Sequence, residues 1–157
     1  MNRDGWYYLH TNGSLIYKPD HDGVVADIRD SDFAVAFWPI DVNNRLSAWT
    51  VLVEGLAAGA DPVRIKELAN KWECDNRDAE VYADVIGAGV FKDGNNWCAV
   101  PENFVFSYVE EPAGFGATAL EALAALAKKL GYHPQKTWGN SFAGLLKKQT
   151  RKNNEQK

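Results

Sequence analysis

Two stretches near the start of the chain alternate apolar and polar positions. Residues 6–10 and 14–18 are rich in aromatic and aliphatic side chains, and an Asn-Gly pair lies between them. Asn-Gly favours a two-residue hairpin loop, because both central residues of that turn need a positive φ. The pattern therefore predicts a β-hairpin in which Tyr8 faces Tyr17.

Farther along, the apolar positions recur at helical spacing. Leu46, Trp49, Val53 and Leu56 fall on one stripe of a helix that starts near Asn44, as expected for a helix with one buried face. An Asp-Pro pair and a later glycine mark the ends of further helices. The sequence predicts three consecutive helices, which form a helical lobe over about 44–87.

The segment that follows has the character of β-structure. Residues 90–100 predict a second hairpin around Asp-Gly, and residues 104–109 predict a further strand, since they are aromatic and β-branched. A turn rich in proline and glycine, 112–116, leads to Thr118, which with Glu121 has the spacing of a helix capping box. The predicted β-rich lobe spans about 88–131.

These elements together predict an α+β fold, with antiparallel hairpins and strands packed against about five helices. Residues 1–148 are expected to form a single compact domain. A last short helix is expected over about 140–148, and a basic polar tail, 149–157, is expected to be disordered. Residues 24–40 fit either a strand or a helix, and Pro39 is expected to end whichever forms.

The composition excludes several classes of protein. With 46% apolar and 12% aromatic residues, most of the chain is too apolar to remain disordered. The two cysteines, Cys74 and Cys98, lie far apart, which argues against a disulfide scaffold and a thiolate zinc site. We see no leader segment and no apolar stretch long enough for a membrane span, so we expect a soluble protein without a membrane partner.

The formal net charge of −4 conceals a division along the chain. Residues before Lys128 carry a net charge of −11, whereas the residues from Lys128 onward carry +7. Such an asymmetry bears on partners rather than on the fold. It is compatible with a solvated basic tail, and equally with an arm that binds nucleic acid or an acidic protein.

One loop gathers possible metal ligands within three residues. Asp20, His21 and Asp22 precede Gly23, and carboxylates and imidazole are common ligands of divalent cations. The alternative is a turn that is stabilised by its own carboxylates. The loop is a candidate metal site only if these side chains bind a cation.

The basic end of the chain mixes aromatic rings with positive charges. Rings can stack on bases while cations meet phosphates, which is typical of single-strand binding. The alternative is that the rings anchor the last helix on the core. The candidate residues for binding nucleic acid or another partner are Tyr132, Lys136, Trp138, Lys147, Lys148, Arg151 and Lys152.

No motif predicts catalytic residues or a cofactor. The run 114–119 matches G-x-G-x-x-A, but the second strand and acid that a dinucleotide site needs are missing. The serine at 141 misses the G-x-S-x-G pattern by one position. Acidic neighbours are expected to raise the pKa of the Cys74 thiol. The sequence therefore leans toward a non-enzymatic protein.

The strand-loop-helix from Phe104 to Leu130 resembles that of HicB-type antitoxins, in which a G-x-T-x-x-E-A run opens the helix. Over most of its length, including the runs 5–13 and 96–99, the chain resembles an uncharacterised family of small proteins encoded by phages and prophages. The resemblance implies a viral origin, a small accessory role in the cytoplasm of a host bacterium, and no inherited catalytic residues.

Three hypotheses follow. In the first, the protein is a non-enzymatic phage or prophage accessory protein that binds a host or phage macromolecule, either a protein or a nucleic acid. In the second, it inhibits a host defence system through its acidic surface. In the third, it is a metal-dependent hydrolase or nuclease that uses Asp20, His21 and Asp22. The oligomeric state stays open.

Overall fold

The computed structural model describes residues 4–20, 22–23, 26, 38–41, 44–101, 113–132 and 142–146. The described chain contains two antiparallel sheets and a separate set of helices, which confirms the predicted α+β fold. In chain order the elements are β1 (Asp4–Leu9), β2 (Leu15–Lys18), β3 (Trp38–Asp41), α1 (Arg45–Ala58), α2 (Pro62–Lys71), α3 (Asn76–Ile86), β4 (Ala88–Asp93), β5 (Asn96–Pro101), β6 (Gly114–Gly116) and α4 (Ala119–Lys129).

The first hairpin forms as predicted, but its register is shifted. Tyr7, not Tyr8, pairs with Tyr17, and Leu9 pairs with Leu15. The loop has three residues rather than two, because only Gly13 takes a positive φ, of 91°. A turn followed by one left-handed glycine is the usual form of a three-residue hairpin loop. The shift puts Tyr7, Leu9 and Leu15 in the core.

The third strand of this sheet contains the proline that was expected to end the element. β3 pairs with β1 in the order β2-β1-β3, and Pro39 lies opposite Trp6. The expectation was wrong because β3 is an edge strand of the described sheet, and sheets tolerate proline in edge strands. Trp38, which precedes the proline, is buried.

Helix α1 lies at the centre of the described structure and contacts β3, α2, α3 and α4. The single apolar stripe predicted from the sequence is too narrow, since consecutive residues from Val51 to Gly55 are all buried. Leu46, at the start of the predicted stripe, is exposed. A helix that is apolar nearly all round is typical of a position inside a core.

Most helix ends follow the predicted capping residues. Asp61 caps α2 ahead of a proline at its first position, and Gly87 ends α3 with a φ of 86°. The cap of α3, Asp75, was not predicted. The Thr118 hydroxyl accepts a hydrogen bond from the Glu121 N–H at 3.2 Å. Side-chain acceptors of this kind satisfy N–H groups that have no partner within the helix.

The second sheet has the order β4-β5-β6 and packs against α4. The hairpin of β4 and β5 confirms the prediction. Gly114 to Gly116, predicted as part of a turn, form a strand paired with β5. The glycines make this possible, because a Cβ on Gly114 would lie 2.2 Å from the Ala122 carbonyl oxygen of α4.

Some predictions fall outside the described residues: the strand over 104–109, the tail 149–157, and most of 24–40. Of the predicted last helix, residues 142–146 are described and are helical. Among the described helices, none has both the length and the apolar character needed to cross a bilayer.

The close approach of β6 to α4 gives a first testable prediction. Gly114→Ala should lower the free energy of unfolding by about 2–3 kcal/mol, because a methyl group must displace helix backbone. Urea denaturation measures this change. Gly89→Ala in β4 is the matched control, since its Cβ would meet only a Val100 methyl group at an ordinary 3.6 Å. Equal stability of the two variants would show that β6 does not pack as described.

Candidate functional site

One buried acid organises the centre of the molecule. Glu54 lies on α1 and is only 2% exposed. Its carboxylate accepts hydrogen bonds from the Trp38 indole N–H, from the Tyr132 hydroxyl at 3.4 Å, and from the Phe142 backbone N–H at 2.5 Å. We call Glu54, Trp38, Tyr132 and Phe142 the Glu54 cluster. It ties α1 to three segments that are distant in sequence.

No cation neutralises this acid within the described part of the chain, whose ion pairs all involve other residues. Burial raises the pKa of Glu54, and the hydrogen bonds from Phe142, Trp38 and Tyr132 oppose that rise. Removal from water disfavours the charged form, whereas donated hydrogen bonds favour it. Because burial has the larger effect, the net direction is upward.

The tyrosines around Glu54 respond to the same environment. Burial raises the pKa of the Tyr82 and Tyr132 hydroxyls above the ordinary value, and the nearby Glu54 charge raises both further. Both hydroxyls therefore stay protonated at neutral pH. The Glu54 cluster consists of satisfied buried groups, and this arrangement holds the core together.

A groove of about 670 Å³ opens beside α2, within the volume range typical of small-molecule sites. Trp49, which is 2% exposed, belongs to its wall and stacks on Tyr82 with ring centroids 5.7 Å apart. Leu56 and Leu120 add half-buried apolar surface, and Val63 lies at the rim. We call this the α2 groove.

Cys74 also lines the α2 groove. Burial raises the pKa of its thiol, and Arg45, whose Nη1 lies 3.8 Å from Sγ, opposes the rise. The direction agrees with the sequence prediction, but burial rather than the acidic neighbours is the main cause. A thiol of raised pKa is a poor nucleophile at neutral pH, because little thiolate is present.

A second surface feature lies on the outer side of α3. Val81 and Val85 are 67% and 62% exposed and one helical turn apart. Glu80 and Asp84, also exposed, form a parallel row beside them, since residues four apart share a helix face. We call these four residues the α3 patch.

The predicted metal ligands are only partly described. Asp20 Oδ1 accepts a hydrogen bond from the Gly23 N–H at 2.5 Å, as in a turn stabilised by its own carboxylate. Asp22 is exposed, and His21 lies outside the described residues. Among the residues with described positions, no three histidine, cysteine or acidic side chains are grouped to hold a metal ion. The metal site with His21 stays a prediction.

Of the residues predicted to bind nucleic acid or another partner, Tyr132 alone is described. Its ring is 7% exposed and its hydroxyl bonds to Glu54, so the structure places it in the core. The remaining candidates lie outside the described residues and stay predictions: Lys136, Trp138, Lys147, Lys148, Arg151 and Lys152.

Neither Glu54 nor the α2 groove was predicted from the sequence. One signal for Glu54 was present, because it is a single acid inside the apolar run 51–57. An ionisable residue at such a position must find partners in the core. The sequence contains no comparable signal for the groove, because its walls come from residues far apart along the chain.

No protein-family model, curated protein or solved structure matches the chain.

Glu54→Leu should lower the free energy of unfolding by about 3–5 kcal/mol, because it leaves buried donors on separate segments without an acceptor. Urea denaturation at pH 7 measures the loss. Glu67→Leu is the control, since Glu67 is an exposed acid on α2 and its replacement should cost less than about 0.5 kcal/mol. Similar losses for both variants would contradict the role of the Glu54 cluster.

The raised pKa of Glu54 also predicts how stability depends on pH. Between the ordinary value of 4.5 and the higher value in the folded protein, the folded state binds more protons than the unfolded state. The stabilisation from this group should therefore fall as the pH rises through that interval, and then level off. The stability difference between the native chain and Glu54→Gln, measured by urea denaturation from pH 4.5 to 7.5, should fall in this way. A difference that rises with pH would contradict it.

Proposed function

We propose that this protein acts by binding a macromolecular partner, without catalysing a reaction, as a phage or prophage accessory protein in the cytoplasm of a host bacterium. The α3 patch is the observation that carries the proposal. The resemblance of the chain to small phage-encoded proteins supports the accessory role and the host setting.

The valines of the α3 patch leave apolar surface in water at a place where the helix could have carried polar residues. Covering a valine side chain contributes about 1.5–3 kcal/mol relative to full exposure. Val81 and Val85 are both well over half exposed, so a partner that covers both would recover most of this stabilisation. Contiguous exposed apolar surface is one feature that marks interaction sites.

The carboxylates of the α3 patch select the kind of partner. Glu80 and Asp84 take part in none of the ion pairs within the described residues, whereas Asp78 on the same helix is paired with Arg45 at 3.2 Å. Two free acids beside two valines complement a surface with an apolar centre and a basic edge. A basic protein surface therefore fits the patch, and nucleic acid, which is itself anionic, does not.

The same carboxylates favour one second candidate. An inhibitor of a host defence system could occupy a basic nucleic-acid-binding surface of a defence protein with its acidic side. This candidate differs from the first only in the identity of the partner. Competition by a DNA or RNA oligonucleotide for the partner would distinguish it.

The test is affinity capture of host proteins with the tagged native chain and four variants, followed by quantitative mass spectrometry. Val81→Ser/Val85→Ser removes the apolar half of the α3 patch, and Glu80→Lys/Asp84→Lys reverses its charge. Because all four residues are exposed, these changes should leave the fold intact. Controls with the same substitutions elsewhere are Val63→Ser and Glu67→Lys/Asp93→Lys.

A partner should be captured by the native chain and by both controls, and lost at least about tenfold by both α3 patch variants, as for the centre of an interface. Equal capture by the patch variants and the controls would contradict the proposal. Loss of capture by the control variants instead would show that the interface lies on another surface.

A further inference from the structure

The α2 groove brings exposed and half-buried apolar side chains together on one concave surface. Val63, at its rim, is 64% exposed, and Leu56 and Leu120 on neighbouring helices are only half-buried. Apolar side chains that line one concave surface gain stability when a ligand displaces the water against them. The body of such a ligand is therefore apolar.

The acids at the groove are already engaged within the chain. Asp75 bonds the Arg77 guanidinium at 2.9 Å and caps α3. Glu121 accepts a hydrogen bond from the Ala117 N–H at 2.9 Å. Each carboxylate thus stabilises the start of a helix, so neither is a candidate to bind a cationic ligand.

The polar groups at the groove that have no partner within the described chain include the Lys66 ammonium and the Trp49 indole N–H. The exposed Lys66 ammonium lines the groove and forms no hydrogen bond or ion pair within the described chain. Trp49 contributes to the groove wall, and its buried indole Nε1 has no acceptor among the described residues. Buried donors in folded proteins almost always have a partner. Within the described part of the chain, the Trp49 indole N–H therefore lacks the acceptor that such a donor normally has.

We propose that the α2 groove binds a small molecule that has an apolar body and one anionic group, such as an aryl or alkyl carboxylate or sulfonate. The apolar body contacts Leu56, Val63 and Leu120. The anionic group meets Lys66 and supplies the acceptor that Trp49 lacks. The groove lining and the α3 patch share no residue, so substitutions can test the two sites separately.

Two fluorescent probes test the proposal. 8-Anilinonaphthalene-1-sulfonate has the required apolar body and anion, and N-phenyl-1-naphthylamine has the same rings without the sulfonate. Titration of the full chain with each probe gives the two dissociation constants. In parallel, the ¹⁵N–¹H indole signal of Trp49, one of six tryptophans, reports whether the groove is occupied. That signal is assigned by its absence in Trp49→Phe.

Lys66→Gln should raise the dissociation constant of the sulfonate probe about fivefold, as expected for loss of one partly exposed charge pair. The dissociation constant of the neutral probe should not change. Lys71→Gln is the control, because it makes the same substitution on α2 but outside the groove lining. The Trp49 indole signal should shift and saturate at the same concentration of the sulfonate probe as the fluorescence.

Three results would overturn the proposal: no saturable binding of the sulfonate probe, saturation that leaves the Trp49 signal in place, or equal effects of Lys66→Gln and Lys71→Gln. Ala69→Phe is a further check, since the larger side chain on the groove wall should block both probes. Unchanged binding of both probes to this variant, with its thermal unfolding like that of the native chain, would also overturn the proposal.

Discussion

The carboxyl group of Glu54, which has no cationic partner among the described residues, lies at the centre of this structure, and its hydrogen bonds determine which segments meet there. Glu54 on α1 receives donors from β3, from the residues after α4, and from the helical segment 142–146. A buried charge is tolerated only where such partners are fixed in place. The acid therefore requires these segments in one arrangement, which an apolar residue of the same size would not.

Helix α1 connects the Glu54 cluster to the two surface features, the α2 groove and the α3 patch. Trp49 lies on the same helix as Glu54 and stacks on Tyr82 of α3. The α2 groove therefore has a wall that is continuous with the core. The α3 patch lies on the outer side of the helix whose inner side carries Tyr82. A loss of order around Glu54 would therefore reach both surfaces, whereas changes to the exposed residues of the α3 patch would leave the core intact.

Local rules were sufficient to predict much of the fold from the sequence. The capping residues Asp61 and Thr118 act within a few positions, so the starts of α2 and α4 were predictable. Contacts between distant residues were not. The hairpin register depended on the φ of one glycine, and β6 depended on the close approach of Gly114 to α4. The donors to Glu54 lie 16, 78 and 88 positions away, and no local pattern links them.

Amide hydrogen exchange at Phe142 tests the role of Glu54 most directly. If the carboxylate holds this N–H in the core, the Phe142 amide should exchange with an opening free energy close to that of the buried amides of α1. In Glu54→Leu, whose side chain has no acceptor, the same amide should lose more of that protection than the buried amides of α1 do. Exchange of the Phe142 amide in the native chain at the rate of an unprotected peptide would contradict the central role of Glu54.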